Sequence, residues 1–139
     1  MTRADILTAF ETAKTAKDLL RLESRIADYR DTSKDPTAQS VYEAIRALCD
    51  ARRDFESALH AWEFYDREYR TWAESMRLTA GESAGQLPSN IRSFPEYQLH
   101  ERRERVYIIE ERGYNRVRGM AEQLMMLWAA MDQRGEAAR

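Results

Sequence analysis

Residues 36–79 read PTAQSVYEAIRALCDARRDFESALHAWEFYDREYRTWAESMRLT. Val41, Ile45, Leu48, Phe55, Leu59, Trp62, Tyr69, Ala73 and Met76 recur mostly four and three apart, the repeat of one helix face. A second line every seven residues, Ala44, Ala51, Ala58, Tyr65 and Trp72, makes that face broader than a bare coiled-coil seam. No glycine interrupts the stretch. Its one proline, Pro36, suits the first helical turn, with Asp35 ahead of it as a cap. The pattern predicts a single helix over 36–79, roughly 66 Å long. Only Arg52 and Asp66 break the stripe with a charge.

Downstream, Gly81, Gly85, Pro88 and a cluster of Ser and Asn mark a loop over 80–93. Ser93, Pro95 and Glu96 then start another helix, expected over 94–132. Tyr107, Tyr114, Ala121 and Trp128 recur every seven residues, with Val117, Leu124 and Met131 between them and Leu99, Val106, Met120 and Leu127 alongside. Gly113 and Gly119 weaken this helix, and a short strand over 106–109 turning at Gly113 is the competing reading. Helix is preferred, because period seven persists on both sides of Gly113 while period two does not.

Upstream, Thr2 with Asp5 and Thr15 with Asp18 each form a capping-box pattern. Together they predict helices over 3–13 and 16–30 with a break near Lys14; one unbroken helix from Arg3 to Arg30 is the alternative. The expected fold is all-α, one domain over 1–139. A long antiparallel hairpin of 36–79 and 94–132 would carry one or two N-terminal helices, in a dimeric helical bundle. With the loop midpoint at Leu87, facing residue numbers should sum to roughly 175 at equal helical rise. That register predicts structural ion pairs between Arg52 and Glu122 and between Asp66 and Arg112. A two-fold pairing of 36–79 between chains, centred on Leu59, would instead bring Arg52 to Asp66 of a second copy.

Composition agrees with long helices: 43% of the 139 residues are apolar, 33% are charged, and there are five glycines and three prolines. A formal net charge of −2 offers no general attraction to nucleic acid or anionic membranes. No leader-like or membrane-spanning apolar run is present, and cytoplasmic residence is the default expectation. One cysteine, Cys49, allows no internal disulfide and no metal spacing.

Phosphate-binding loops, dinucleotide fingerprints, paired cysteines, zinc-protease helices and nucleophile elbows are all missing, so no enzyme, catalytic group, metal or cofactor is expected. Glu56 with His60 and Glu96 with His100 sit one turn apart, but the register sends His60 toward Asn115 and His100 toward Ser75, and the pairs do not converge. Arg102, Arg103, Arg105, Arg112, Arg116 and Arg118, with Tyr107 and Tyr114 among them, are candidate phosphate contacts. Glu101, Glu104, Glu110 and Glu111 share the stretch and leave it a net +2. A salt-bridged, solvated face is therefore the preferred reading.

The C-terminal helix is apolar nearly all round, which a hairpin with so little further chain cannot cover. Trp62, Tyr69, Trp72, Met120, Leu124, Leu127, Trp128 and Met131 are the expected dimer or partner interface. The function expected is a non-enzymatic interaction module: a homodimer that blocks, bridges or chaperones a macromolecular partner. Small inhibitors of phage or mobile-element type share this profile; for such a role the loop 81–94 and the acidic stretches 28–35 and 63–74 are the places to look. Nucleic-acid binding through 102–118 is the alternative.

Overall fold

A computed structural model of the chain describes residues 1–80 and 90–137, with side chains over 1–77 and 90–131. Four helices follow in order: α1 (Arg3–Thr12), α2 (Ala16–Thr32), α3 (Ala38–Ala80) and α4 (Pro95–Ala137), the last preceded by a 3₁₀ turn at Ile91–Ser93. The described residues contain no strand. The chain is all-α, and α4 runs unbroken through Gly113 and Gly119, so 106–118 is helix.

Both capping boxes form. The Thr2 hydroxyl accepts from Asp5 N–H at 3.2 Å, and the Asp5 carboxylate accepts from Thr2 N–H at 2.8 Å. Thr15 accepts from Asp18 N–H at 3.1 Å in the same way. Backbone donors (Thr2 for Asp5, Lys14 and Thr15 for Asp18) hold both carboxyls below their ordinary range. Ala13 between the helices is extended. Arg118 holds this break, donating to the carbonyls of Ala13 at 2.7 Å and Phe10 at 3.1 Å, the last acceptors of α1. The helix therefore breaks where two start signals compete, and a cation satisfies the freed end.

The chain divides into two compact units, Met1–Asp54 with Arg112–Arg139, and Phe55–Glu111. In the first, Ile6 and Phe10 of α1, Leu19, Leu22 and Ile26 of α2, Val41, Ile45 and Leu48 of α3, and Trp128 of α4 are buried together with the smaller Ala121 and Ala38. Arg30 lies over the Tyr42 ring at 4.3 Å and donates to Gln39, tying α2 to the start of α3.

The second unit is a two-helix pair joined by aromatic rings. Tyr107 stacks on both Phe55 and Trp62, at 5.8 and 5.2 Å, and Tyr69 stacks on His100 at 4.3 Å. Trp72 meets Phe94 at 5.4 Å. Wide rings replace the aliphatic core that two helices alone cannot build.

Within each unit α3 and α4 pair antiparallel, but not in the expected register. Arg52 faces Tyr114 in the first unit, and Asp66 faces His100 in the second. Against the expectation, α4 is displaced by roughly two helical turns. Phe94, the first residue of the expected returning helix, lies on Trp72, where the expected register puts a residue well inside that helix. The midpoint of the loop is therefore not the midpoint of the pairing.

A Cβ added at Gly119 meets nothing within 4 Å. Gly119→Ala should stabilise the chain by about 0.5–1 kcal/mol through helix propensity alone. Thermal unfolding followed by circular dichroism should show a rise of a few degrees, and a fall would mean that Gly119 has a packing role.

Candidate interaction surface

Asp35, in the link between α2 and α3, has a side chain only 4% exposed. Its Oδ2 accepts from Trp128 Nε1 at 2.9 Å, from the Tyr29 hydroxyl at 3.0 Å and from the Arg3 guanidinium. Its Oδ1 accepts from Thr37 N–H at 3.0 Å. Arg3 also donates to the Trp128 carbonyl at 3.2 Å and lies 5.1 Å from the indole centroid. Burial opposes the carboxylate charge, but the bonds from Trp128, Thr37, Arg3 and Tyr29 outweigh it and hold the Asp35 carboxyl below its ordinary value. This cluster sets the rotation of α4: with Trp128 fully buried, the residues about a quarter-turn away must face outward.

Those residues are apolar. Met120, Leu127 and Met131 are 65%, 60% and 41% exposed, with Leu124, Val117 and Gly113 partly covered among them. Met131 makes one polar contact, accepting from the Thr37 hydroxyl at 3.9 Å. An open groove of about 490 Å³ lies between α1 and α4, walled by Leu7, Phe10, Met125 and Met126 together with the charged Glu11, Lys14, Arg118 and Glu122. In the second unit Val106 and Ile109 of α4 are also exposed.

The residues expected at the interface therefore divide. Met120, Leu127 and Met131 face outward, and Leu124 lies between them, partly covered. Trp128 does not, being core; its place in the line Tyr107, Tyr114, Ala121 and Trp128 already carried that signal. Trp62, Tyr69 and Trp72 are half-buried and spend their faces on Tyr107, His100 and Phe94 within the hairpin.

The expected ion pairs give way to others. Arg52 lies over the Tyr114 ring at 5.0 Å, and Glu122 accepts from Arg118 at 3.4 Å. Asp66 takes His100 Nε2 at 2.8 Å and Arg70 at 3.0 Å, in place of Arg112. His100 therefore meets Asp66 and not Ser75, as the displaced register requires. With Asp66 engaged inside its own chain, the motive for pairing it with Arg52 of a second copy is gone.

The six arginines are not one cluster. Arg103 lies over the Tyr65 ring at 4.8 Å, Arg118 closes α1 and Arg105 pairs with Glu101 at 3.2 Å. Arg102, Arg112 and Arg116 are exposed. His60 is exposed too, and no three His, Cys, Asp or Glu side chains gather into a metal-holding group among the described residues. The Cys49 thiol is buried, and burial, then Glu23, pushes it up to about 12, so it stays protonated. Among the described residues no helix is long and apolar enough to cross a membrane. Residues 81–89 of the expected functional loop lie outside the described residues.

Sequence reasoning missed the Asp35 cluster, since it treated Asp35 only as a cap and Arg3 only as a helix start. No local pattern marks a carboxylate that collects partners from residues 3, 29, 37 and 128. No family model, curated protein or solved structure matches the chain.

Asp35→Asn should destabilise the fold by about 3 kcal/mol, because Arg3 keeps its charge while losing its counter-charge. Since the folded carboxyl titrates below its unfolded value, its stabilisation is complete at neutral pH and is lost as pH falls through and below the unfolded value near 4. Urea unfolding should therefore show wild type losing stability below about pH 4, with a shallower loss in the variant. Equal slopes would contradict this role.

Proposed function

We propose that the chain is a non-enzymatic helical interaction protein, and that the outer face of α4 in the first unit is the surface on which it self-associates. The observation that carries this reading is the exposure of Met120, Leu127 and Met131 on one face of a helix whose neighbouring face, Trp128, Ala121 and Tyr114, is already buried. Apolar area that folding leaves in water is a standing driving force for association. Methionine suits such a surface, because an unbranched side chain adapts to the shape that covers it.

What supports a non-enzymatic reading is that two carboxylates withdrawn from water among the described residues are engaged by their own chain. Asp35 is saturated by four partners and Asp66 is held by a histidine and an arginine. Cys49 is too buried and too weakly acidic to act as a nucleophile at neutral pH. Arg103 and Arg118 turn onto their own chain, which supports a protein surface over the nucleic-acid alternative. A dimer of this kind leaves much of its remaining surface free to block or bridge a macromolecular partner, the wider role in which we place it.

Multi-angle light scattering across a dilution series tests the first step. Wild type should move from monomer toward twice the monomer mass as concentration rises. The double substitution Met120→Glu with Leu127→Glu should stay monomeric, its dimer Kd raised at least about a hundredfold, with unchanged helical circular dichroism. A wild type that stays monomeric at high micromolar concentration would remove this function.

A further inference from the structure

In the second unit, Tyr65, Glu68, Tyr69 and Trp72 stand three and four apart on α3 and so share one face of it. Glu96, Leu99 and His100 repeat that spacing on α4. Two contacts bring the faces together: His100 Nε2 meets Asp66 Oδ1 at 2.8 Å, and the Trp72 and Phe94 rings meet at 5.4 Å. These seven side chains line a pocket of about 160 Å³. We infer that this pocket binds one organic cation, an alkylammonium group, against its rings and its two glutamates. The site lies in the second unit and stands apart from the self-association proposed for the first.

The lining selects the charge of the ligand. Faces of tyrosine and tryptophan rings are electron-rich and attract a cation. Tyr69 and Trp72 lie 5.7 Å apart with planes tilted by 41°, so they form a corner and not a stack. No lysine or arginine lines the pocket, whereas Glu68 and Glu96 do. Both glutamates are exposed, and neither joins an ion pair among the described residues. The arginines one turn on from the neighbouring acids are already taken, Arg70 by Asp66 and Arg77 by Glu74. Elsewhere this chain supplies such rings with its own cations, setting Arg30 over Tyr42 and Arg52 over Tyr114. Arg103 does the same for Tyr65 at 4.8 Å, from outside the pocket lining.

Other ligand classes fit less well. An anion would meet two carboxylates. A bare metal ion needs several oxygen or nitrogen donors, and no three His, Cys, Asp or Glu side chains gather to hold one among the described residues. A drug-sized molecule needs roughly 300–1,000 Å³. An alkylammonium group is small, weakly hydrated on its carbon atoms and positive, which suits rings, the Leu99 side chain and carboxylates together. That chemistry comes from two sources, a free quaternary ammonium compound or the lysine side chain of a protein partner.

Titration of the full chain with choline chloride, at ionic strength matched with sodium chloride, tests the pocket by ¹H–¹⁵N NMR. The Trp72 indole N–H, assigned through Trp72→Phe, should shift and saturate in the millimolar range. The neutral isostere 3,3-dimethylbutan-1-ol should bind at least about tenfold more weakly. Glu68→Gln with Glu96→Gln, both exposed positions, should weaken choline about tenfold while the rest of the spectrum stays in place. Nα-acetyl-lysine methyl ester is titrated in parallel. Tighter binding of the lysine derivative assigns the pocket to a partner's side chain, and tighter binding of choline to a free compound; either supports the inference. Equal binding of choline and its neutral isostere would show a merely apolar cleft and overturn it. So would unchanged choline affinity in the double variant, or no saturable shift with either cation.

Discussion

The carboxylate of Asp35 is where the first unit is decided. Helices α1, α2 and α4 each send one donor to it, Arg3, Tyr29 and Trp128, and the chain entering α3 sends Thr37 N–H. A carboxylate this buried is tolerable only when its oxygens are fully engaged, and this one is. Such a cluster is directional where apolar packing is not. Leu22, Ile26 or Ile45 would accept several rotations of a neighbouring helix, but the indole N–H of Trp128 reaches Asp35 from one. Fixing Trp128 inward fixes Met120, Leu127 and Met131 outward. The exposed apolar face of α4 in the first unit thus follows from the way this contact orients the helix.

Local signals were legible wherever they were local. The two capping boxes separate α1 from α2 because each is complete within four residues, and the unbroken α3 follows from a face that needs no partner to be recognised. Helix α4 survives two glycines because period seven outweighs their propensity, as the repeat from Tyr107 to Trp128 implies. Register was not legible, because it depends on where the chain doubles back. Counting loop residues assumes that a loop contributes equally to both legs, whereas Phe94 already packs on Trp72 ahead of α4. A displacement of about two turns keeps most apolar faces in contact, so hydrophobic pattern alone could not expose the error.

Polar residues on α3 show why a plausible pairing was a poor guide. Arg52 and Asp66 needed compensation, and opposite charges lay within reach of the assumed register. In the structure Arg52 lies over a tyrosine ring, and Asp66 holds a histidine and an i,i+4 arginine. Several chemistries satisfy one charge, so its satisfaction selects no register. The aromatic residues misled in the same way. Trp62, Tyr69 and Trp72 suggested a surplus of sticky surface because two helices have no room for a core, yet the rings themselves are that core, Trp62 and Tyr69 laid flat on Tyr107 and His100 and Trp72 tilted on Phe94.

Helix α4 carries two apolar faces, about a quarter-turn apart, and they differ in kind. The inner face combines Trp128, Tyr114 and Ala121, whose burial ties each to its own chain. The outer face combines methionines, leucine, valine and a glycine, and no described hydrogen bond beyond the Thr37–Met131 contact anchors it. Folding alone would be served by polar residues on that outer face, such as the exposed Glu122 and Gln123 elsewhere on the helix. Each exposed apolar residue adds nothing to the monomer and raises its tendency to associate, and Gly113 weakens the monomer outright by up to about 1 kcal/mol. The apolar residues that folding leaves in water on that face are the ones the proposed self-association would cover.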